Sequence, residues 1–335
     1  MMEKPVIQLR HLSTGYTGKH SVIRVASDIN ASVYNGELTC LLGANGAGKS
    51  TLLRTLSASQ PPLAGEVWIA GKRLSDYADK ELARLIGIVL TERCEVTNLS
   101  VEELVGLGRS PYTGFWGTLG KEDKRIVSEA IQQVGIAGLS DRMIHTLSDG
   151  ERQKVMIAKV LAQQTPVILL DEPTAFLDFP SKVEMMRLLR TLAHGLDKTV
   201  FLSTHDLELA LQIADKLWLM DRQGVVVGTP EDLSLDGTLE TFFTREGIAF
   251  DHRSGLFRIA PEYVRSIRLT GEGYRYDMVQ KALRRYAICA DREVESEAYI
   301  DAGSGETDLF VWHPAGREPV ACGNIETLIA FIKEK

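Results

Sequence analysis

Residues 43–51 read Gly-Ala-Asn-Gly-Ala-Gly-Lys-Ser-Thr. Gly43, Gly48, Lys49 and Ser50 stand at the spacing G-x-x-x-x-G-K-[ST], which cradles phosphates. Glycines allow backbone N–H groups to turn inward and crowd a polyphosphate, with Asn45, Gly46 and Ala47 forming the body of the loop. Lys49 can reach β- and γ-phosphates, and the Ser50 hydroxyl, followed by Thr51, can sit on Mg²⁺. An apolar run, Leu38 to Leu42, precedes the loop, and apolar spacing at Leu52, Leu53 and Leu56 follows it. Strand, loop and helix in that order separate the motif from a chance glycine-rich turn, and the helix N-terminus adds partial positive charge beneath an anion. The ligand class is a nucleoside triphosphate with Mg²⁺.

Three further groups of residues carry chemistry. Val167-Ile168-Leu169-Leu170-Asp171-Glu172 is an apolar run ending in two acids, as suits a buried parallel strand with its reactive end at the C-terminus. Asp171 is placed to hold Mg²⁺ and Glu172 to polarise a water, although a solvated acidic turn has the same pattern. Leu147-Ser148-Asp149-Gly150-Glu151 opens a helical stretch. Ser148 and Gly150 there make a second anion site, and Ser148 with Glu151 also makes a capping box; the two are compatible. Thr199 to Ser203 reads as a strand leading to Thr204, His205 and Asp206, and a lone histidine at a strand end is ordinarily incidental.

The order of these elements, with Leu177-Asp178 between the last two, resembles the ATP-binding subunit of ABC transporters over about residues 5–245. The resemblance implies an ATP hydrolase that uses ATP and Mg²⁺. It places Tyr16 on adenine, Ser50 and Asp171 on Mg²⁺, Glu172 as general base and His205 at the γ-phosphate. It places Asp178 in a loop communicating across a dimer. Ser148 and Gly150, with Glu151 in the same signature, would contact the γ-phosphate of ATP held by a second copy, so that two ATP molecules join a head-to-tail dimer. Two departures stand out. Asp149 and Glu151 occupy positions where the family commonly has glycine and glutamine, so Asp149 must point away from the phosphate to avoid repulsion. Thr91 stands where the family has a Mg²⁺-touching glutamine, and its side chain is shorter.

The implied partners are a second copy, multi-span permease subunits and, indirectly, a substrate-binding protein. The chain has 335 residues, 44% hydrophobic, and a net charge of −7. That balance leaves no basic footprint for nucleic acid. No run approaches the roughly 18–20 apolar residues of a membrane span, and the N-terminus lacks a signal-peptide core. Cys40, Cys94, Cys289 and Cys322 are scattered and read as reduced thiols. The expected place is cytoplasmic, peripheral on the inner membrane. Ser100 and Glu103 form a capping box before a short helix that ends near Gly108 and Pro111. The string through Val101, Val105, Gly108, Arg109, Pro111 and Tyr112 also resembles the subfamily that energises uptake of iron–siderophore complexes, haem and cobalamin, with iron–siderophore the leading cargo. A soluble ABC ATPase acting in translation or repair is the contrasting class; it usually carries two nucleotide domains or long coiled coils, whereas one phosphate loop and no heptad run are present here.

The fold expected is α/β: a P-loop NTPase domain of ABC type with an antiparallel β subdomain and a helical subdomain, then a small α+β C-terminal domain. Residues 1–245 form the ATP-binding domain. Within it, 5–35 and 65–90 give antiparallel strands, 36–60 and 166–230 the parallel core, and about 95–165 the helical subdomain, including a helix over Lys124–Val134. Residues 246–254 read as a linker and 255–335 as the small domain. There, 255–260, 299–302 and 308–312 read as strands, 277–286 and 325–332 as helices, and 304–307 as a hairpin turn. Trp312-His313-Pro314 suggests a metal ligand, but a histidine without neighbouring ligands is usually structural. The small domain has three readings: stabilising a dimer, sensing a ligand or docking a partner.

Overall fold

The computed structural model describes residues 4–18, 21–90, 98–114, 117–221, 223–244, 248–251, 256–259, 262–303 and 309–333. Two compact units result, Met1–Phe242 and Phe243–Lys335.

In the first unit the chain runs through β1 (Ile7–Thr17), β2 (Val22–Val33), β3 (Leu38–Leu42), α1 (Lys49–Leu56), β4 (Ala64–Ile69), β5 (Lys72–Arg73), α2 (Asp79–Leu85) and β6 (Ile86–Val89). It continues with α3 (Val101–Gly106), α4 (Lys121–Gln133), α5 (Asp149–Ala162), β7 (Val167–Asp171), α6 (Phe179–Leu196), β8 (Thr199–Ser203), α7 (Leu207–Ile213), β9 (Lys216–Met220), β10 (Val225–Gly228), α8 (Pro230–Leu235) and α9 (Thr238–Phe243).

A six-stranded sheet has the order β10-β9-β3-β8-β7-β6. Every residue of β3 and β8 is buried, as expected for strands covered on both faces. β3 pairs in parallel with β8 and β9, and β7 with β6 and β8. The pairs Leu41↔Ser203 and Asp171↔Ser203 align the ends of β3, β8 and β7 on one edge of the sheet. A four-stranded antiparallel sheet, β2-β1-β4-β5, lies beside this core. Its inner residues, including Ile7, Leu9, Val67 and Ile69, share one cluster with Leu52, Phe201 and Trp218.

The interval 65–90 departs from the expected antiparallel strands. Asp79–Leu85 is helical, with acids in its first turn and Arg84 in its last, a distribution that suits the helix dipole. Ile86–Val89 joins the parallel core beside β7. A short apolar run does not disclose which sheet will receive it. Helices α3, α4 and α5 lie between β6 and β7, and Gly135 leaves α4 at φ 75°.

The second unit begins with a hairpin of β11 (Ile248–Asp251) and β12 (Leu256–Ile259). Part of the expected linker is therefore a strand, and Phe257 packs its ring against Phe250. Next come β13 (Arg265–Thr270), α10 (Gly273–Arg284), β14 (Ile288–Asp291), β15 (Tyr299–Asp301), β16 (Phe310–His313), β17 (Val320–Cys322) and α11 (Ile325–Lys333). Their five strands order as β14-β13-β15-β16-β17, over a separate core that includes Ile267, Leu283, Ile300, Trp312 and Leu328. β13, β14 and β17 were not anticipated. The His313 ring stacks on Tyr299 at 4.0 Å between centroids, and no group of three metal-ligand side chains exists among the described residues. The proposed turn at 304–307 lies outside the described residues.

Phe201 and Trp218 meet edge to face at 4.9 Å in the centre of the first unit, both fully buried. Replacing Phe201 by alanine should cost about 3–5 kcal/mol, a transfer loss plus a cavity. Urea unfolding of the full chain checks this; a loss under about 1 kcal/mol would show that the site collapses without penalty.

Candidate functional site

The loop after β3 is shaped by close approach. At Gly43 a Cβ would stand 2.4 Å from the Met220 carbonyl oxygen, and at Gly48, with φ 104°, 2.0 Å from Val25 Cγ1. No other residue fits these positions without displacing its neighbours. Ala44, Asn45 and Gly46 are exposed while Ala47 is buried, and the Ala47 N–H closes the turn on the Ala44 carbonyl at 3.0 Å. Gly48 caps α1, so Lys49, Ser50 and Thr51 make its first turn.

Lys49 is 6% exposed. Its ammonium donates to the Gly43 carbonyl at 2.8 Å and lies 3.4 Å from His205 Nε2. Burial pushes its pKa down, and the Glu172 and Asp171 carboxylates oppose that shift. A cation thus lies folded against the loop with two acids beside it. Tyr16, 44% exposed, meets the Thr51 hydroxyl through its own at 2.5 Å, which places the aromatic ring at the margin of the loop.

The acids stand on the aligned edge. The Ser203 hydroxyl donates to Asp171 Oδ1 at 2.6 Å and accepts from the Glu172 N–H at 3.0 Å. One side chain therefore orients both acidic residues. Glu172 adopts φ 49°, an uncommon conformation for a residue with a side chain, and its N–H is held further by the Ser203 carbonyl. His205 Nε2 pairs with Glu172 Oε1. Lys49, His205 and Glu172 therefore form one chain of contacts. Sequence reasoning did not find Ser203; its signal was the hydroxyl residue directly across from Asp171 once β7 and β8 are paired.

Ser148, Gly150, Glu151 and Asp178 gather separately. Ser148 caps α5, and the capping box is present. The Ser148 N–H and hydroxyl both donate to Glu151 Oε2, at 2.8 and 2.9 Å. These bonds hold the Glu151 carboxyl below the usual range. Arg142 stands 3.8 Å from Glu151, and Arg152 stands 3.8 Å from Asp149 along the flank of α5. A Cβ on Gly150 would lie 3.8 Å from Leu177 and Ser181, so the start of α5 adjoins the turn before α6. Asp178 caps α6 by accepting from the Ser181 N–H at 3.0 Å, which lowers its pKa. Phe176 and Phe179 on either side of it are 75% and 67% exposed. Cys40 is a buried thiol of β3 whose pKa burial pushes up, which keeps it un-ionised. Thr91 and Cys94 lie outside the described residues.

Residues 26–175 match the family model described as ABC transporter. The chain is 38% identical over 255 residues to an uncharacterized ABC transporter ATP-binding protein of Methanocaldococcus jannaschii, covering 76% of this chain and 87% of that protein. It is also 38% identical over 246 residues to the ferric enterobactin transport ATP-binding protein of Escherichia coli, covering 72% of this chain and 89% of the relative. Among solved structures, the dimeric structure of a bacterial ABC transporter cassette matches with a TM-score of 0.59 at 27% identity, over 67% of this chain and 98% of that one.

Ser203→Ala removes the donor to Asp171 and one acceptor of the Glu172 N–H. Lost hydrogen bonds to charged groups should lower kcat for ATP hydrolysis on the order of tenfold, with half-saturating ATP changed by less than about twofold. Steady-state kinetics checks this, and an unchanged kcat would remove Ser203 from the orientation of the acids.

Proposed function

The chain belongs to the ATP-binding proteins of ABC transporters, and we propose that it powers uptake of iron–siderophore complexes through a separate permease. The observation that supports the catalytic reading is the meeting of the Gly43–Thr51 loop, Asp171, Glu172, Ser203 and His205 at the aligned ends of β3, β7 and β8.

In this reading the loop N–H groups hold the phosphates and Lys49 turns from the Gly43 carbonyl to the β- and γ-oxygens. Water attacks the γ-phosphorus, the bond to the β-phosphate oxygen breaks, and Glu172 takes the proton from the water. Before ATP arrives, His205 engages the Glu172 carboxylate. A γ-phosphate gives the imidazole a second acceptor, which draws His205 away and leaves Glu172 available as base. Ser50 and Asp171 would hold Mg²⁺ as hard oxygen donors. Bound there, Mg²⁺ would supply neutralisation of charge on the transferring phosphoryl group.

Ser148 and Gly150 act on ATP held by a second copy. The Ser148 hydroxyl then turns its hydrogen bond from Glu151 to a γ-phosphate oxygen, while Arg142 and Arg152 offset the negative charges of Glu151 and Asp149. Asp178, with the apolar surface of Phe176 and Phe179, faces the partner. The dimeric cassette among the structural relatives supports this arrangement. No helix among the described residues is long and apolar enough to cross a membrane, so the channel belongs to the permease, with a substrate-binding protein delivering cargo. The relative named for ferric enterobactin transport supports an iron–siderophore as that cargo.

Two measurements test the proposal. Lys49→Ala should lower affinity for ATP at least about tenfold by loss of a charged contact, read by titration with a fluorescent ATP analogue; unchanged affinity would refute the assignment of the loop. Cells lacking the chain should lose uptake of labelled iron–siderophore and recover it with the intact gene but not with Glu172→Gln. Loss of cobalamin uptake instead would change the cargo, and no loss of either would remove the import role.

A further inference from the structure

Arg109 has no part in the chemistry above, yet it is 4% exposed and bonded on several sides. Its Nε donates to Asp123 Oδ1 at 2.9 Å. One terminal nitrogen donates to the Ala162 carbonyl at 2.8 Å and to Gln164 Oε1 at 2.9 Å. Its guanidinium carbon lies 4.0 Å from the centroid of the Tyr112 ring. A planar fork meets this set of partners, and an ammonium does not. Asp123 is fixed in turn, since its other oxygen accepts from the Gly120 N–H at 3.0 Å.

These partners surround the C-terminal end of α5. A Cβ on Gly108 would stand 2.2 Å from the Lys159 carbonyl oxygen, so a glycine lets residues 108–109 reach that last turn. Arg109 then binds the carbonyl end of the helix, where a cation is favoured. The Tyr112 hydroxyl donates to the Gln163 carbonyl at 3.1 Å. The Gln163 side chain donates to the Ala83 and Ile86 carbonyls at 2.5 and 3.2 Å. Arg84 completes the junction, stacking on Tyr112 at 4.9 Å and donating to the Pro111 carbonyl at 3.0 Å. Ile86 opens β6 and pairs with Val167, the first residue of the strand that ends in Asp171.

We propose that Arg109 is a positioning residue for the shared ATP site: it ties the C-terminal end of α5 to Asp123 and Tyr112, in the junction that Gln163 joins to β6, so that Ser148, at the opposite end, is aimed at ATP held by a second copy. The proposal rests on the reading that Ser148 acts in trans. Leverage makes the clamp consequential. α5 has 14 residues, a length of about 21 Å at ~1.5 Å per residue. A tilt of about 5° at the clamp therefore moves Ser148 by roughly 2 Å, enough to break a hydrogen bond.

Mixing experiments with full-length variants separate this from general damage. Arg109→Lys retains charge but lacks the fork. It should bind a fluorescent ATP analogue within about twofold of the parent and lose on the order of tenfold in kcat. Mixed with Lys49→Ala, which supplies an intact Ser148 face, it should regain turnover above the sum of the two proteins alone, because its own phosphate loop is sound. Tyr112→Phe, which loses only the hydroxyl bond to Gln163, should show a smaller defect with the same recovery and serves in place of Arg109→Lys if that variant does not fold. Parental kcat in the folded variants, or a defect that mixing does not repair, would overturn the proposal. A control mixture of Ser148→Ala with Lys49→Ala tests the trans reading beneath it; no recovery there overturns that reading and the proposal together.

Discussion

Three parallel strands that end together are the constraint on which the site depends. β3 and β8 are buried along their lengths and β7 as far as Leu170, and the three are hydrogen-bonded in register, so the residues at and just beyond their ends are delivered to one edge. Phosphate loop, acids and histidine are spread over more than 150 residues of sequence, from Gly43 to His205. The sheet supplies their alignment without help from the loops, and a slip of β7 by one residue would turn Asp171 to the opposite face.

On this scaffold, charge sets the resting state. Lys49 is partly stripped of water and steadied by two carboxylates. His205 pairs with Glu172, and the Ser148 hydroxyl donates to Glu151. The side chains that the mechanism directs toward phosphate, those of Lys49, His205 and Ser148, each already have an internal partner. From these side chains a ligand gains only the difference between the new bonds and the old. The same accounting explains how Asp149 and Glu151 can stand in a turn proposed to face phosphate: each has an arginine nearby.

Much of this was legible beforehand because it is local. The glycine spacing of 43–51 dictates a loop wherever it occurs, and Ser148-x-x-Glu151 and Ser100-x-x-Glu103 cap helices by short-range geometry. Residues whose role depends on a distant strand were less visible. Ser203 is one hydroxyl among many until β7 lies beside it. Ile86–Val89 is an apolar run that could join either sheet. In the second unit, β13 carries Arg265 and Arg268 among its apolar residues, and β14 and β17 are only four and three residues long, so their periodicity is weak. Arg109 was noticed as part of a string, while its contacts with Ala162 and Gln164, over fifty residues onward, appear only in three dimensions.

The central claim is that ATP completes a site between two copies of this chain. Sedimentation of Glu172→Gln protein with Mg-ATP, with Mg-ADP and without nucleotide tests it most directly. The account predicts a dimer with Mg-ATP and monomers in the other two conditions. The same association state in all three would contradict it.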